Sequence, residues 1–90
     1  MRIDEFAKDP GAELDYIVDW SDWLVADTIM VSTWSAPTGI TIENSSSTTT
    51  TSTVWLSGGT PGKTYNVINT ITTNGGRVDQ RTLHITVTEK

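Results

Sequence analysis

The stretch Thr53-Val54-Trp55-Leu56-Ser57-Gly58-Gly59-Thr60-Pro61-Gly62-Lys63-Thr64-Tyr65-Asn66-Val67-Ile68-Asn69-Thr70-Ile71-Thr72-Thr73-Asn74-Gly75-Gly76-Arg77, closed by Arg81-Thr82-Leu83-His84-Ile85-Thr86-Val87-Thr88, decides the fold class. It reads as three strands. Val54 and Leu56 alternate with Trp55; Tyr65, Val67, Asn69 and Ile71 share one face; Leu83, Ile85 and Val87 share another. Period-two alternation places every second side chain on one face of a pleated strand. A Gly/Pro turn joins the first two strands. Asn74-Gly75 predicts a tight hairpin turn with positive φ at both central residues. Nothing in the stretch resembles a catalytic motif.

Working back toward the N-terminus, the Ser/Thr run 45–53 has two readings. It is either a solvated linker or a loop running into an exposed strand, since threonine is β-branched. Val54 and Leu56 continue an alternation out of it, which favors the strand. Ile40-Thr41-Ile42 predicts a short strand after the Ala36-Pro37-Thr38-Gly39 turn. In the strand 28–34, Ile29 and Trp34 fall on opposite parities, so burying both requires a bulge between them. Ser21–Asp27 reads as a helical turn that Ser21 or Asp22 can cap. Leu14, Tyr16, Val18 and Trp20 share one face of the strand before it. Residues 1–13 read as a flexible acidic arm ending in turn chemistry at Lys8-Asp9-Pro10-Gly11. Residues 14–90 then form a single domain.

Short strands with turn signals every 8 to 12 residues or so predict an all-β, immunoglobulin-like (fibronectin III-like) antiparallel sandwich of about seven strands. Tyr65 opens the penultimate strand just after a Gly/Pro turn, the position of a tyrosine corner. Trp34 is expected in the core between the sheets. Gly59, Gly62 and Gly75 are expected to be structural turn residues, since neither glycine pair is followed by the Lys-Ser/Thr of a phosphate loop.

The 90 residues carry a net charge of −5 and no cysteine. The missing cysteines exclude a disulfide framework and a thiolate zinc site, and fit synthesis in a reducing cytoplasm. No apolar run approaches the ~20 residues of a membrane span. Charge is unevenly placed: residues 1–27 hold eight acids against Arg2 and Lys8, whereas residues 28–90 hold three acids against four bases. Such a field repels phosphate backbones and argues against nucleic acid. Solubility accounts for it plainly; a basic protein partner is the alternative.

Few residues can carry chemistry. His84, the single histidine, lies on the predicted outer face of the last strand with no nucleophile motif near it. Asp15, Asp19, Asp22 and Asp27 lack the compact loop that supplies calcium with six to eight oxygens. The expectation is no catalytic residue, no metal and no cofactor. The four tryptophans are many for this length. Trp20 and Trp34 are assigned to the core. Trp23 and Trp55 are harder to bury, and an exposed tryptophan is a candidate interface anchor; partial burial under a loop is the alternative for both.

Taken together, Lys8-Asp9-Pro10, Leu14-Asp15-Tyr16, Asp19-Trp20, Trp23-Leu24, Asp27-Thr28-Ile29, Ser32-Thr33-Trp34 and Gly39-Ile40-Thr41-Ile42 form a recognizable order. Val54-Trp55-Leu56-Ser57-Gly58-Gly59-Thr60, Gly62, Tyr65, Ile71-Thr72-Thr73 and Gly76-Arg77 continue it. Over about residues 8–88 the chain resembles small structural proteins of tailed bacteriophages and prophages, a family labeled phage fiber–tail adaptor or phage-related protein. The resemblance implies a virion component, made in the host cytoplasm and present in multiple copies, that binds other tail or fiber proteins. It carries over no catalytic residues. A head-decoration or neck protein, and a module binding carbohydrate or the host surface through Trp23 or Trp55, are the alternative roles.

Overall fold

The alternations seen in the sequence become seven strands. The computed structural model describes residues 2–8 and 13–88, with residues 2–7 as backbone only. The elements are β1 (Arg2–Lys8), β2 (Leu14–Asp19), α1 (Ser21–Leu24), β3 (Ile29–Ser35), β4 (Ile40–Ser47), β5 (Thr51–Gly58), β6 (Thr64–Thr73) and β7 (Val78–Val87). They form a four-stranded sheet, β1-β7-β6-β3, facing a three-stranded sheet, β2-β5-β4. From β2 onward the order is that of an immunoglobulin-like sandwich, with the second, fourth and fifth strands in one sheet and the third, sixth and seventh in the other.

One expectation is corrected at the N-terminus. Residues 2–8, expected within a flexible arm, run as strand β1 parallel to β7, from Arg2 opposite Arg81 to Lys8 opposite Val87. The sandwich therefore starts at Arg2 rather than at Leu14, and its first pairing is parallel rather than antiparallel. β7 would otherwise offer an open row of backbone groups, and β1 covers it. Four of the seven residues of β1 are charged, a composition depleted in strands generally and tolerated at sheet edges. The Lys8 side chain is buried and donates from Nζ to the Gly58 carbonyl at 2.7 Å, which ties the end of β1 to the facing sheet. The rest of the expected arm and turn, residues 1 and 9–12, lies outside the described residues, as do residues 89–90 at the end of the expected domain.

The core lies between the sheets. Val18, Val54, Leu56, Val67, Ile71, Leu83, Ile85 and Val87 are all at most 2% exposed. Each such side chain contributes roughly 1.5–3 kcal/mol through burial. The bulge expected between Ile29 and Trp34 falls between Ile29 and Val31, where the register against β6 shifts. The Ser/Thr run builds a hairpin: Ser45–Ser47 end β4, Thr51 opens β5, and the Thr48 N–H donates to the Thr51 carbonyl at 2.9 Å. The tyrosine corner forms as well, with the Tyr65 hydroxyl accepting from the Thr60 N–H at 2.8 Å.

Three local expectations change. Trp34 is only partly buried and packs against the margin of the core, while Trp20 is the fully buried tryptophan. No side chain caps α1 from its N-cap residue Trp20; the Asp19 carboxylate accepts from the Ser21 N–H at 2.9 Å instead. In the β6–β7 hairpin the positive φ belongs to Gly76 (+84°), not to Asn74 or Gly75, because the Gly76 N–H closes the turn onto the Thr73 carbonyl at 3.0 Å. Gly75 is structural for another reason: an added Cβ would stand 2.7 Å from Asp27 Oδ2. Gly62 has φ +85° with open space around it.

The turn Leu24–Asp27 closes through the Asp27 N–H to the Leu24 carbonyl at 3.0 Å, with Val25 at φ 59°, ψ −107°. That conformation suits glycine at the first central position, yet Val25 is β-branched and 85% exposed. Val25→Gly is expected to raise stability by about 1 kcal/mol, because relief of strain outweighs the entropy of glycine. A thermal melt with an unchanged or lowered midpoint would show that the valine is not strained there.

Candidate functional site

The two candidate anchors reach different environments. α1 turns the chain so that Trp23 meets Trp20 edge-on, ring centroids 5.4 Å apart and planes at 71°. Two arginines cap the rings, the Arg77 guanidinium 4.2 Å from the Trp23 centroid and that of Arg81 4.2 Å from the Trp20 centroid. Arg81 is buried and donates to the Asp19 carbonyl at 2.6 Å. Trp23 is half-buried, with one ring face taken by Arg77 and the Trp20 ring packed against it.

Asp27 locks this corner to the β6–β7 hairpin. Its Oδ1 accepts from the backbone N–H of Thr28 at 2.8 Å and of Gly75 at 3.0 Å, and its Oδ2 from Arg77 Nε at 3.1 Å. Arg77 also reaches the Leu24 carbonyl through Nη2 at 2.8 Å. The Thr73 hydroxyl, those backbone donors and the Arg77 guanidinium lower the Asp27 pKa from 3.8 to about 2. A folded-state pKa below the unfolded one means that the carboxylate stabilizes the fold fully above pH 3.8 and loses that contribution as the pH falls through about 2. Asp27→Asn is expected to lower the melting midpoint at neutral pH and to flatten its decline across that acid window. Parallel acid profiles for variant and wild type would remove Asp27 as the titrating group.

Trp55 lies on β5, the central strand of the three-stranded sheet. Its neighbors Val54 and Leu56 point into the core and are fully buried, so Trp55 points outward and is half-buried. It stands opposite Asp15 on β2 and Asn44 on β4. Ile17, 57% exposed, faces out two residues along from Asp15. Asp19 and Glu43 are exposed on the flanking strands, and the Ser57 hydroxyl donates to the Glu43 carboxylate.

The sequence contains no lysine, arginine or histidine between Lys8 and Lys63. Consequently β2, α1, β3, β4 and β5 hold no cation, while β2, α1 and β4 carry the carboxylates Asp15, Asp19, Asp22 and Glu43. Dividing the charge at residue 27 shows the acidic start of the chain but not this cation-free gap, which is visible in the order of residues.

His84 is half-buried on the outer face of β7, opposite Asn66. Among the described residues no group of three or more His, Cys, Asp or Glu side chains is placed to hold a metal ion, and no helix is long and apolar enough to cross a membrane. Of the aspartates weighed for calcium, Asp27 is bound to Arg77 and Asp19 to the start of α1.

A family model described as podophage GP4 fiber-tail adaptor protein gp77 matches residues 8–86. No curated protein matches the chain. Among solved structures, the solution structure of the PKD domain from KIAA 1837 protein is similar, with a TM-score of 0.61 and 20% identity over 100% of this chain and 83% of that one. At that identity the likeness is one of fold.

Proposed function

The chain belongs to the podophage GP4 fiber-tail adaptor family, and from that premise we propose that it is a non-enzymatic virion component joining tail and fiber proteins. The observation that carries this reading is the family match across residues 8–86, from the last residue of β1 through nearly all of β7. The physical features agree with it. The outer strands of the sandwich carry backbone groups a partner strand can complete, and one sheet presents a half-exposed tryptophan. Several copies per particle would add avidity to modest individual contacts. Of the two candidate anchors, Trp55 goes forward as the interface residue. The ring of Trp23 already has Arg77 on one face and Trp20 against it, a packing role within the corner.

The test is mass spectrometry of purified phage particles, intact and separated into tails and heads. Recovery in the tail fraction is the expected result. Recovery only with heads would replace the adaptor by a decoration or neck role. Absence from particles would overturn the structural reading.

A further inference from the structure

We infer that the outer face of the β2-β5-β4 sheet, centered on Trp55, docks an arginine-bearing surface of a partner protein. This deepens the proposed adaptor role and rests on it for the identity of the partner as a tail or fiber protein.

The argument starts from a motif the chain uses on itself. Arg77 lies over Trp23 while pairing with Asp27, and Arg81 lies over Trp20 while donating to the carbonyl of Asp19. In both, a planar guanidinium covers an indole face while its edge N–H groups reach an oxygen acceptor, an arrangement that the rigid fork of arginine favors over the point charge of lysine. Trp55 and Asp15 form a third such pair. They are direct cross-strand neighbors, a placement that sets Cβ atoms ~4.5–5.5 Å apart. Among the described residues no cation lies over Trp55.

Charge complementarity points the same way. Asp15, Asp19 and Glu43 surround Trp55 and Ile17, and no strand of this sheet holds a base. The described cations are elsewhere: Lys8 and Arg81 are buried, Arg77 is paired with Asp27, and Lys63 lies in the β5–β6 connection. The face is thus anionic at its margin and apolar at its center, the complement of a basic surface that places arginine on an aromatic ring. Solubility alone would call for the charges but not for Trp55 and a 57% exposed Ile17 between them.

The probe is a nona-arginine peptide titrated into the whole protein, read by the indole NH resonances of the four tryptophans. The expected result is a salt-sensitive shift confined to Trp55. Asp15→Lys/Glu43→Lys, with an unchanged melt, should weaken it about tenfold, whereas Asn66→Lys on the opposite sheet should not. No shift at Trp55, or an equal one in the Asp15→Lys/Glu43→Lys variant, overturns the inference. In phage particles the same double variant should be depleted relative to wild type. Wild-type protein missing from particles would sink the adaptor role, while the docking face would still stand or fall on the titration.

Discussion

Asn69→Ala is expected to destabilize the protein by about 3 kcal/mol. Asn69 is fully buried on β6 and uses both ends of its amide. Its Oδ1 accepts from the Trp20 indole N–H at 3.0 Å. Its Nδ2 donates to Ser32 Oγ at 3.0 Å and to the Thr33 carbonyl at 2.9 Å. Ser32 Oγ continues to Ser52 Oγ at 2.6 Å, so the chain of bonds crosses from one sheet to the other. Alanine would leave the indole N–H without its acceptor inside an apolar core and open a cavity beside it. Each orphaned buried group costs roughly 1–3 kcal/mol, against a total stability of roughly 5–15 kcal/mol for a domain. Urea unfolding should show the loss as a shift in midpoint. The signature is coupling: Trp20→Phe should cost less in the Asn69→Ala background than in wild type, because the donor it removes is already unpaired. Strict additivity would mean that the bond contributes little.

Gly59→Ala is expected to cost a similar amount, about 3 kcal/mol, for a steric reason. Gly59 has φ +101°, and a Cβ placed there would stand 2.5 Å from Val87 Cγ2. Val87 is fully buried at the end of β7, so it cannot swing away. The ring of Tyr65 closes the other side, with Cε2 3.5 Å from the added carbon. The substitution should therefore disturb the tyrosine corner as well as the backbone. Val87→Ala removes the clashing methyl. In that background Gly59→Ala should cost only the backbone term, roughly 1–2 kcal/mol. An undiminished penalty there would place the whole effect in the dihedral angle and none in the contact with Val87.

How much of this was legible in the residues differs from one to the next. The tyrosine corner was readable because a Gly/Pro turn followed by an aromatic at a strand start is a local signal. Asn69 was assigned to the inner face of its strand by parity, but the partners that make it tolerable there, Trp20 after β2 and Ser32 and Thr33 on β3, lie on two other segments. Parity also turned Trp55 outward. For Trp23 it was silent, since the residue sits on one turn of helix and its cover comes from Arg77, far along the chain. Asn74-Gly75 is the local hairpin signal and places the positive φ on those two residues, whereas Gly76, whose N–H bonds to the Thr73 carbonyl, is the one in the left-handed conformation.

The sequence by itself determined the strands from Leu14 onward, the bulge after Ile29, the corner at Tyr65 and the absence of any cation between Lys8 and Lys63. These are properties of neighboring residues, set by side-chain alternation, turn chemistry and charge order. Tertiary structure decided the rest. β1 became a strand because β7 had an open edge at the opposite end of the chain. Trp20 rather than Trp34 became the fully buried ring because Asn69 waits for its indole N–H. Arg77 and Arg81 were taken up by Trp23 and Trp20, leaving Trp55 beside Asp15 without one among the described residues. Each of these is a choice among distant partners, made by packing and by the cost of leaving a buried polar group or a strand edge unmatched.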